Sequence, residues 1–405
     1  MKRHILLRKT LTAIALGLAA ALPAHAQTNV KIGVLADMGG LYSDIGGAGA
    51  IEAARMAIED YKAIDPKLKV ELVSADAQNK PDVSSALVRR WYDTEDVDMI
   101  VDLPTSAVAL AVNTVSVEKN KVSLVTAAGS SDITGKACNP NTVHWTYDTW
   151  ALSHGTAAAI TKSGAKTWFF LTADYTFGLA LERDASEVVK ANGGKVLGSV
   201  RHPLDSKDFS SFILQAQASK AQIIGLANGG TDTTTAIKTA SEFGLVQGGQ
   251  KMAGMLLFIS DVHSLGLKAA QGLMLTTAFY WDQNDKTRAF GERFAKRNNG
   301  RYPSMTQAGT YSGTIAYLRA VSKLGSAKDG AAVVKAMRDA GTVDDPLFGP
   351  TTVRADGRAI HPMLLVEVKK PEESKKPYDY YKIVSVIPAN EAFRPLNEGG
   401  CPLVK

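Results

Sequence analysis

Residues 98–110 read DMIVDLPTSAVAL. The apolar run Met99-Ile100-Val101 predicts a strand over Asp98–Val101, and Ser106–Val117 predicts a helix. Pro104, Thr105 and Ser106 join them. Two hydroxyls at such a junction have two readings. One is a helix N-cap, in which a Ser or Thr oxygen accepts a free backbone N–H. The other is a receptor, because a helix start with spare N–H donors attracts a carboxylate or a phosphate. The rest of the chain has to decide between them.

Working outward, the same strand–turn–helix unit repeats. Val30–Leu35 predicts a strand, followed by the glycine-rich loop DMGGLYSDIGG and a helix over Ala48–Tyr61 with Ile51, Ala54, Ile58 and Tyr61 on one face. Strand Lys69–Val73, a helix over Asp82–Trp91 opened by Pro81, and strand Val122–Val125 complete this series. Asn139–Trp150 shows no period and reads as a linker. A second series follows: strands Lys166–Leu171, Lys195–Val200, Gln222–Leu226 and Lys251–Phe258, with helices Phe177–Ala191, Phe209–Ala218 and Thr231–Phe243 between them. Alternation of this kind makes parallel sheets covered on both faces. The expected fold class is therefore α/β, with two doubly wound parallel-sheet domains. After strand Leu273–Thr277 come helices Asp285–Arg297, Ala308–Leu324 and Gly330–Ala340, read as returning to the first domain. Short strands follow at Thr351–Val353, Met363–Val368 and Tyr380–Val386. A chain that crosses between its domains several times makes a hinge suited to closing on a ligand.

The ends set the compartment. Lys2, Arg3, Arg8 and Lys9 precede an apolar core over Leu11–Leu22 and an Ala24-His25-Ala26 exit, the pattern of a secretory signal peptide with Gln27 as the first mature residue. The apolar core is shorter than the roughly 20 residues a membrane-spanning helix needs. The protein is expected to be exported to a periplasm. Removing residues 1–26 removes four positive charges and no acid, so the formal charge falls from +6 to +2. A nearly neutral chain gives no electrostatic reason to expect nucleic-acid binding. Cys138 and Cys401 are the only cysteines. In an oxidising compartment a disulfide between them is expected to tie the tail to the body, with two buried thiols as the alternative. No CxxC or other ligand spacing points to a metal, and no cofactor is expected.

Several stretches converge in order: KIGVLADMGGLYSDIGGAGAIEAARMAIED, PTSAVALAV, VSLVTAAGSSDIT and FFLTADYTFG. With the export signal, they resemble the periplasmic solute-binding proteins of ABC transporters of the leucine/isoleucine/valine-binding type, and within them a branch associated with aromatic carboxylic acids. The resemblance implies the type I periplasmic binding protein fold with a three-crossing hinge. The lobes would comprise residues 27–145 with 280–345, and 146–279 with 346–390, followed by a tail over 391–405. It implies a small carboxylate ligand in the cleft, delivery to permease subunits in the inner membrane, and a monomer. It places Leu41, Tyr42 and Ser43 in the first loop, Thr105 and Ser106 at the helix start, and Ala127, Ala128, Gly129 and Ser130 in the second strand-end loop. Tyr175, Phe177, Asn228 and Asp261 would close over them. Trp145 and Tyr147, aromatics near the hinge, are candidate walls for an apolar ligand body.

No Arg or Lys lies in those first-domain loops, so capture would rely on neutral donors and helix N-termini. Departures from the amino-acid-binding pattern sit at Gly129, Asn228 and Asp261, where a hydroxyl, a tyrosine and a glutamate for the ligand's ammonium are usual. An aromatic acid and a hydrophobic amino acid, amide or urea thus stay open as cargo. An exported enzyme is the rival class. However, GGAGAIEAAR matches a dinucleotide fingerprint only loosely, GSSD at 129–132 is no nucleophile elbow, and the histidines at 144, 154, 202, 263 and 361 are dispersed. A ligand-sensing receptor module is the third class.

Overall fold

A computed structural model of the chain describes residues 27–404. The export signal read over residues 1–26 lies outside them. The first sheet contains β1 (Thr28–Ala36), β2 (Leu68–Asp76), β3 (Met99–Asp102), β4 (Val122–Val125) and β5 (Thr142–His144). All pairs are parallel, in the order β2-β1-β3-β4-β5. The central strands β3 and β4 are buried along their whole length, as strands covered on both faces must be. On one face, Ile32, Val34 and Leu124 pack with Ala50 and Ala54 of helix Gly47–Ile64 and with Tyr317 and Val321 of helix Met305–Leu324. On the other, Leu35 and Ile100 pack with Trp91 and Val108 of helices Pro81–Thr94 and Ser106–Glu118. The late helices thus return to the first sheet.

Residues 139–150 are not a linker. Thr142–His144 is the fifth strand of the first sheet, and a helix begins at Thr149. That helix continues through a π-turn at Ser153–Ala157 to Lys162. The extra residue in the turn offsets the 3.6-residue period that would have marked a helix. Gly155 lets it press on the second unit, since a Cβ there would lie 2.0 Å from Thr276 Oγ1.

The second sheet contains β6 (Thr167–Ala173), β7 (Lys195–His202), β8 (Ile223–Ala227) and β9 (Lys251–Gly254), parallel in the order β7-β6-β8-β9. The segment after Gly254 is not strand; it leads into helix Ile259–Leu265. The remaining strands are β10 (Met274–Thr277), β11 (Val343–Asp345), β12 (Gly349–Val353), β13 (Ala359–Ile360), β14 (Met363–Val368) and β15 (Tyr381–Ile387). They form two antiparallel sheets, β10-β14-β15 and β11-β12-β13. Val353 and Ala359 pack in the first-sheet core, while Leu347 and Phe348 lie in the cluster that spans both units. Cys138 and Cys401 are joined by a disulfide, with their Cα atoms 5.5 Å apart, so the tail is fastened beside the loop after β4.

Where the chain passes between cores it is knotted by Arg358. The side chain is fully buried. Its guanidinium donates to the carbonyls of Trp145 (3.1 Å), Tyr147 (2.8 Å) and Ala359 (3.0 Å). His361 Nε2 lies 3.2 Å from the same Trp145 carbonyl. Two separate passages of the chain are thereby clamped together. Replacing Arg358 by Met should strip its donors from the buried carbonyls of Tyr147 and Ala359, leave that of Trp145 with His361 alone, and cost about 2 kcal/mol or more of stability. A urea titration measures this; an unchanged midpoint would show that the clamp contributes nothing.

Candidate ligand-binding cleft

Both sheets have the doubly wound order in which the first strand is flanked by the second and third. In such sheets the crevice beyond the carboxyl ends of those strands is the topological switch point, where ligands bind. The two switch points face each other here. Between them lies a closed cavity of only about 10 Å³, lined by Tyr42, Ile45, Pro104, Ser106, Ala127, Ala128, Gly129, Tyr147, Tyr175, Phe177 and Leu256. No charged side chain is among them.

The first-sheet side is built by local hydrogen bonds. Asp37, at the end of β1, accepts from the N–H of Gly40 (2.6 Å) and of Tyr42 (2.9 Å), and from the Asn79 amide (2.7 Å). This curls the glycine-rich loop and presents the Tyr42 ring. After β3, the two hydroxyls of the opening motif divide the work. Thr105 is the N-cap, its Oγ1 accepting from the Val108 N–H at 3.3 Å. Ser106 is the first helical residue, and its Oγ accepts from the Ser130 N–H at 3.0 Å, fastening the loop after β4. In that loop Gly129 is required by close approach: a Cβ would meet the Tyr147 ring at 2.6 Å. The Tyr147 hydroxyl donates to the Ala127 carbonyl at 2.6 Å. Among the described residues, the N–H groups of Ala128 and Gly129 find no protein acceptor. The first N–H groups of helix Ser106–Glu118 are also free of helical partners.

The second unit covers this floor with Tyr175, Phe177 and Leu256. The Tyr42 and Tyr175 hydroxyls meet across the cleft at 2.6 Å. The Thr231 N–H donates to the Leu41 carbonyl at 3.3 Å. Gly230 makes this contact with φ +61°, and a Cβ there would lie 2.3 Å from the Leu41 oxygen. Deeper, Asp184 accepts from Ser131 (2.7 Å) and Thr149 (2.6 Å), and Arg183 reaches Asp132 at 3.1 Å. The cleft is therefore closed. Burial raises the phenols of Tyr42, Tyr147 and Tyr175 above the ordinary tyrosine value, so all three stand as neutral hydroxyls.

The periplasmic binding protein family profile matches residues 29–376. The chain belongs to this family. A periplasmic binding protein from Burkholderia mallei superposes with a TM-score of 0.89 at 48% identity, over 94% of this chain and 100% of that one. A branched chain amino acid ABC transporter periplasmic ligand-binding protein from Burkholderia xenovorans gives 0.82 at 38%, over 93% and 100%. A solute binding protein of an ABC transporter from Rhodopseudomonas palustris, solved with 3,4-dihydroxybenzoic acid, shares the fold with a TM-score of 0.80 at 22% identity, over 89% and 98%. This periplasmic binding protein is thus a transporter's binding component and not an enzyme. No helix among the described residues is long and apolar enough to cross a membrane.

Of the residues expected at the site, the structure brings together Tyr42, Ser106, Ala127, Ala128, Gly129, Tyr147, Tyr175 and Phe177. The others lie elsewhere. Leu41 and Thr105 support the rim as described. Ser43 donates to the Gly40 carbonyl and Ser130 accepts from the Asp132 N–H, so both serve their own loops. Trp145 turns away from the cleft, donating to Ser312 Oγ at 3.0 Å. Asn228 lies beneath the second rim, 3.1 Å from His202 Nε2 and accepting from Thr233 at 2.7 Å. Asp261 caps helix Ile259–Leu265, accepting from the Phe258 N–H at 2.9 Å. The sequence reading missed Ile45, Pro104 and Leu256. Pro104 sits inside the quoted motif; Ile45 and Leu256 carry no signal beyond following a strand.

One buried acid lies just below the floor. Asp102 ends β3 with φ +83°, and neither carboxyl oxygen has a protein partner among the described residues. Burial, reinforced by the charge of Asp37, raises it to about 8. A carboxyl raised on folding favours the folded state at low pH, and that contribution is lost as pH rises from the unfolded value, about 4, through about 8. Stability should therefore decline across this window by an amount that Asp102→Asn abolishes, on the order of a few kcal/mol. Denaturation of the two proteins at pH 5 and pH 8.5 compares them; parallel pH profiles would refute it.

Proposed function

We propose that the protein captures a small aromatic carboxylate between two lobes, each built on one parallel sheet, and delivers it to the permease subunits of an ABC transporter. One observation carries the choice of ligand: the cavity offers neutral anion donors on one wall, aromatic rings on the others, and no carboxylate anywhere. Ser106, the Ala128 and Gly129 amides and the start of helix Ser106–Glu118 suit a carboxylate. Tyr42, Tyr147, Tyr175 and Phe177 suit a planar apolar body. An amino acid would bring an ammonium, and a buried ammonium without a counter-charge is costly. Asp261, the one acid expected to meet it, is occupied as a helix cap. Benzoate-type acids, as held by the R. palustris protein, meet these conditions.

Thermal melting with benzoate, 4-hydroxybenzoate, benzamide and leucine tests this. A ligand at a hundredfold its dissociation constant stabilises by about 2.7 kcal/mol. The acids should raise the melting temperature; benzamide and leucine should not. A shift with leucine alone would favour the branched-chain amino acid reading suggested by the B. xenovorans relative.

The two hydroxyls of the opening motif should then separate. Thr105→Val should cost about 1 kcal/mol of stability and leave affinity for the bound acid unchanged. Ser106→Ala should weaken that affinity at least tenfold. Calorimetric titration of both variants decides the assignment, and the opposite pattern would move the receptor role to Thr105.

A further inference from the structure

A second cavity lies on the first unit, away from the cleft and sharing no lining residue with it. It is a groove of about 280 Å³ between helix Met305–Leu324, helix Gly330–Asp339 and the β11–β12 segment. Its apolar lining includes Trp145, Ile315, Ala316, Met337, Val343 and Val353. From Ser312 to Lys323 the helix runs roughly 16 Å alongside it, at about 1.5 Å per residue.

The groove is polarised along its length. At the Ser312 end the Trp145 indole closes it, with its N–H bound to Ser312 Oγ. At the other end stand Arg319 and Lys323, one turn apart on the same helix face and both exposed. Among the described residues neither has a carboxylate within ion-pair distance. The two acids that touch the groove are already engaged. Asp60 accepts from Arg293 and Tyr311. Asp345 accepts from Ser312 Oγ and from the N–H groups of Leu347 and Phe348. Beyond ion-pair distance the Arg319 charge faces Asp345 and the Lys323 charge faces Asp339, so the rim cations are partly balanced yet form no ion pair and keep N–H donors for an external anion.

We propose that this groove is a second small-molecule site, taking an elongated apolar molecule with one terminal carboxylate, its chain on the Trp145–Met337 floor and its head between Arg319 and Lys323. The apolar length and the unpaired cations at one end together select that class over a neutral or a doubly charged ligand. The site does not depend on what the cleft binds.

Decanoate is the probe and 1-decanol its uncharged counterpart, each titrated calorimetrically into the purified protein. One decanoate per chain is expected, bound at least tenfold more tightly than 1-decanol. Ala316→Trp, which fills the groove, should remove binding. The double variant Arg319→Gln, Lys323→Gln lies at exposed positions, so it keeps the fold; it should weaken decanoate at least tenfold and leave 1-decanol unchanged. Absence of decanoate binding, equal binding by the double variant, or loss of binding in Tyr175→Ala with retention in Ala316→Trp would each overturn the proposal, the last by moving the probe to the cleft.

Discussion

A buried guanidinium is stable only where fixed dipoles replace the water it has lost. Arg358 meets that condition with three carbonyls, and two of them, on Trp145 and Tyr147, belong to the passage of chain that leaves the first sheet. Asp148 adds a carboxylate at 3.7 Å, and the Phe393 ring lies 4.4 Å from the guanidinium carbon. Burial still pulls the group down to about 10, which leaves it charged at neutral pH. The consequence is geometric. The clamp fixes where Tyr147 emerges, Tyr147 fixes the Ala127 carbonyl, and the loop carrying Gly129 is thereby set against the helix start at Ser106. The cleft inherits its shape from a cation that never touches it.

Within the cleft, charge is kept out of the lining and used behind it. Asp37 draws four donors around itself and so forms the loop that carries Tyr42. Asp184 and Arg183 tie the two units below the cavity. A neutral lining can gain a carboxylate's hydrogen bonds without having to separate a full ion pair on release, which accords with the carrier role proposed for it.

The sequence made the parallel-sheet architecture legible because its signals are local. Apolar runs end at glycine-rich or hydroxyl-bearing turns, and helices begin at the same edge each time. The resemblance proposed strand-end residues such as Tyr42, Ser106, Gly129 and Tyr175, and their place beyond the carboxyl ends of strands supports that proposal. What the sequence hid depends on partners far away in the chain. Asn228 and Asp261 follow strands like the true lining residues, yet His202 and the Phe258 N–H claim their polar groups. The helix beginning at Thr149 was hidden by its π-turn. Arg358 lies in an unremarkable RADGR stretch, and nothing local distinguishes it from an exposed arginine.

Trp145 shows most clearly why local reading stops short. It stands two residues before Tyr147, and both were expected as walls of one site. The packing changes between them: Trp145 lies in the first-sheet core, Tyr147 in the cluster that runs across the cleft from Tyr42 and Met56 into the second unit. Thr146, at the change, is packed so closely by helix Met305–Leu324 that a Cβ on Gly309 would lie 2.0 Å from its Oγ1. Arg358 holds the carbonyls on both sides of that residue. Any opening of the cleft therefore has to turn about this clamped segment, because separating Tyr147 from Trp145 would strip a buried cation of its acceptors. The wall of the cleft and the end of the distal groove are consequently two faces of one fixed point.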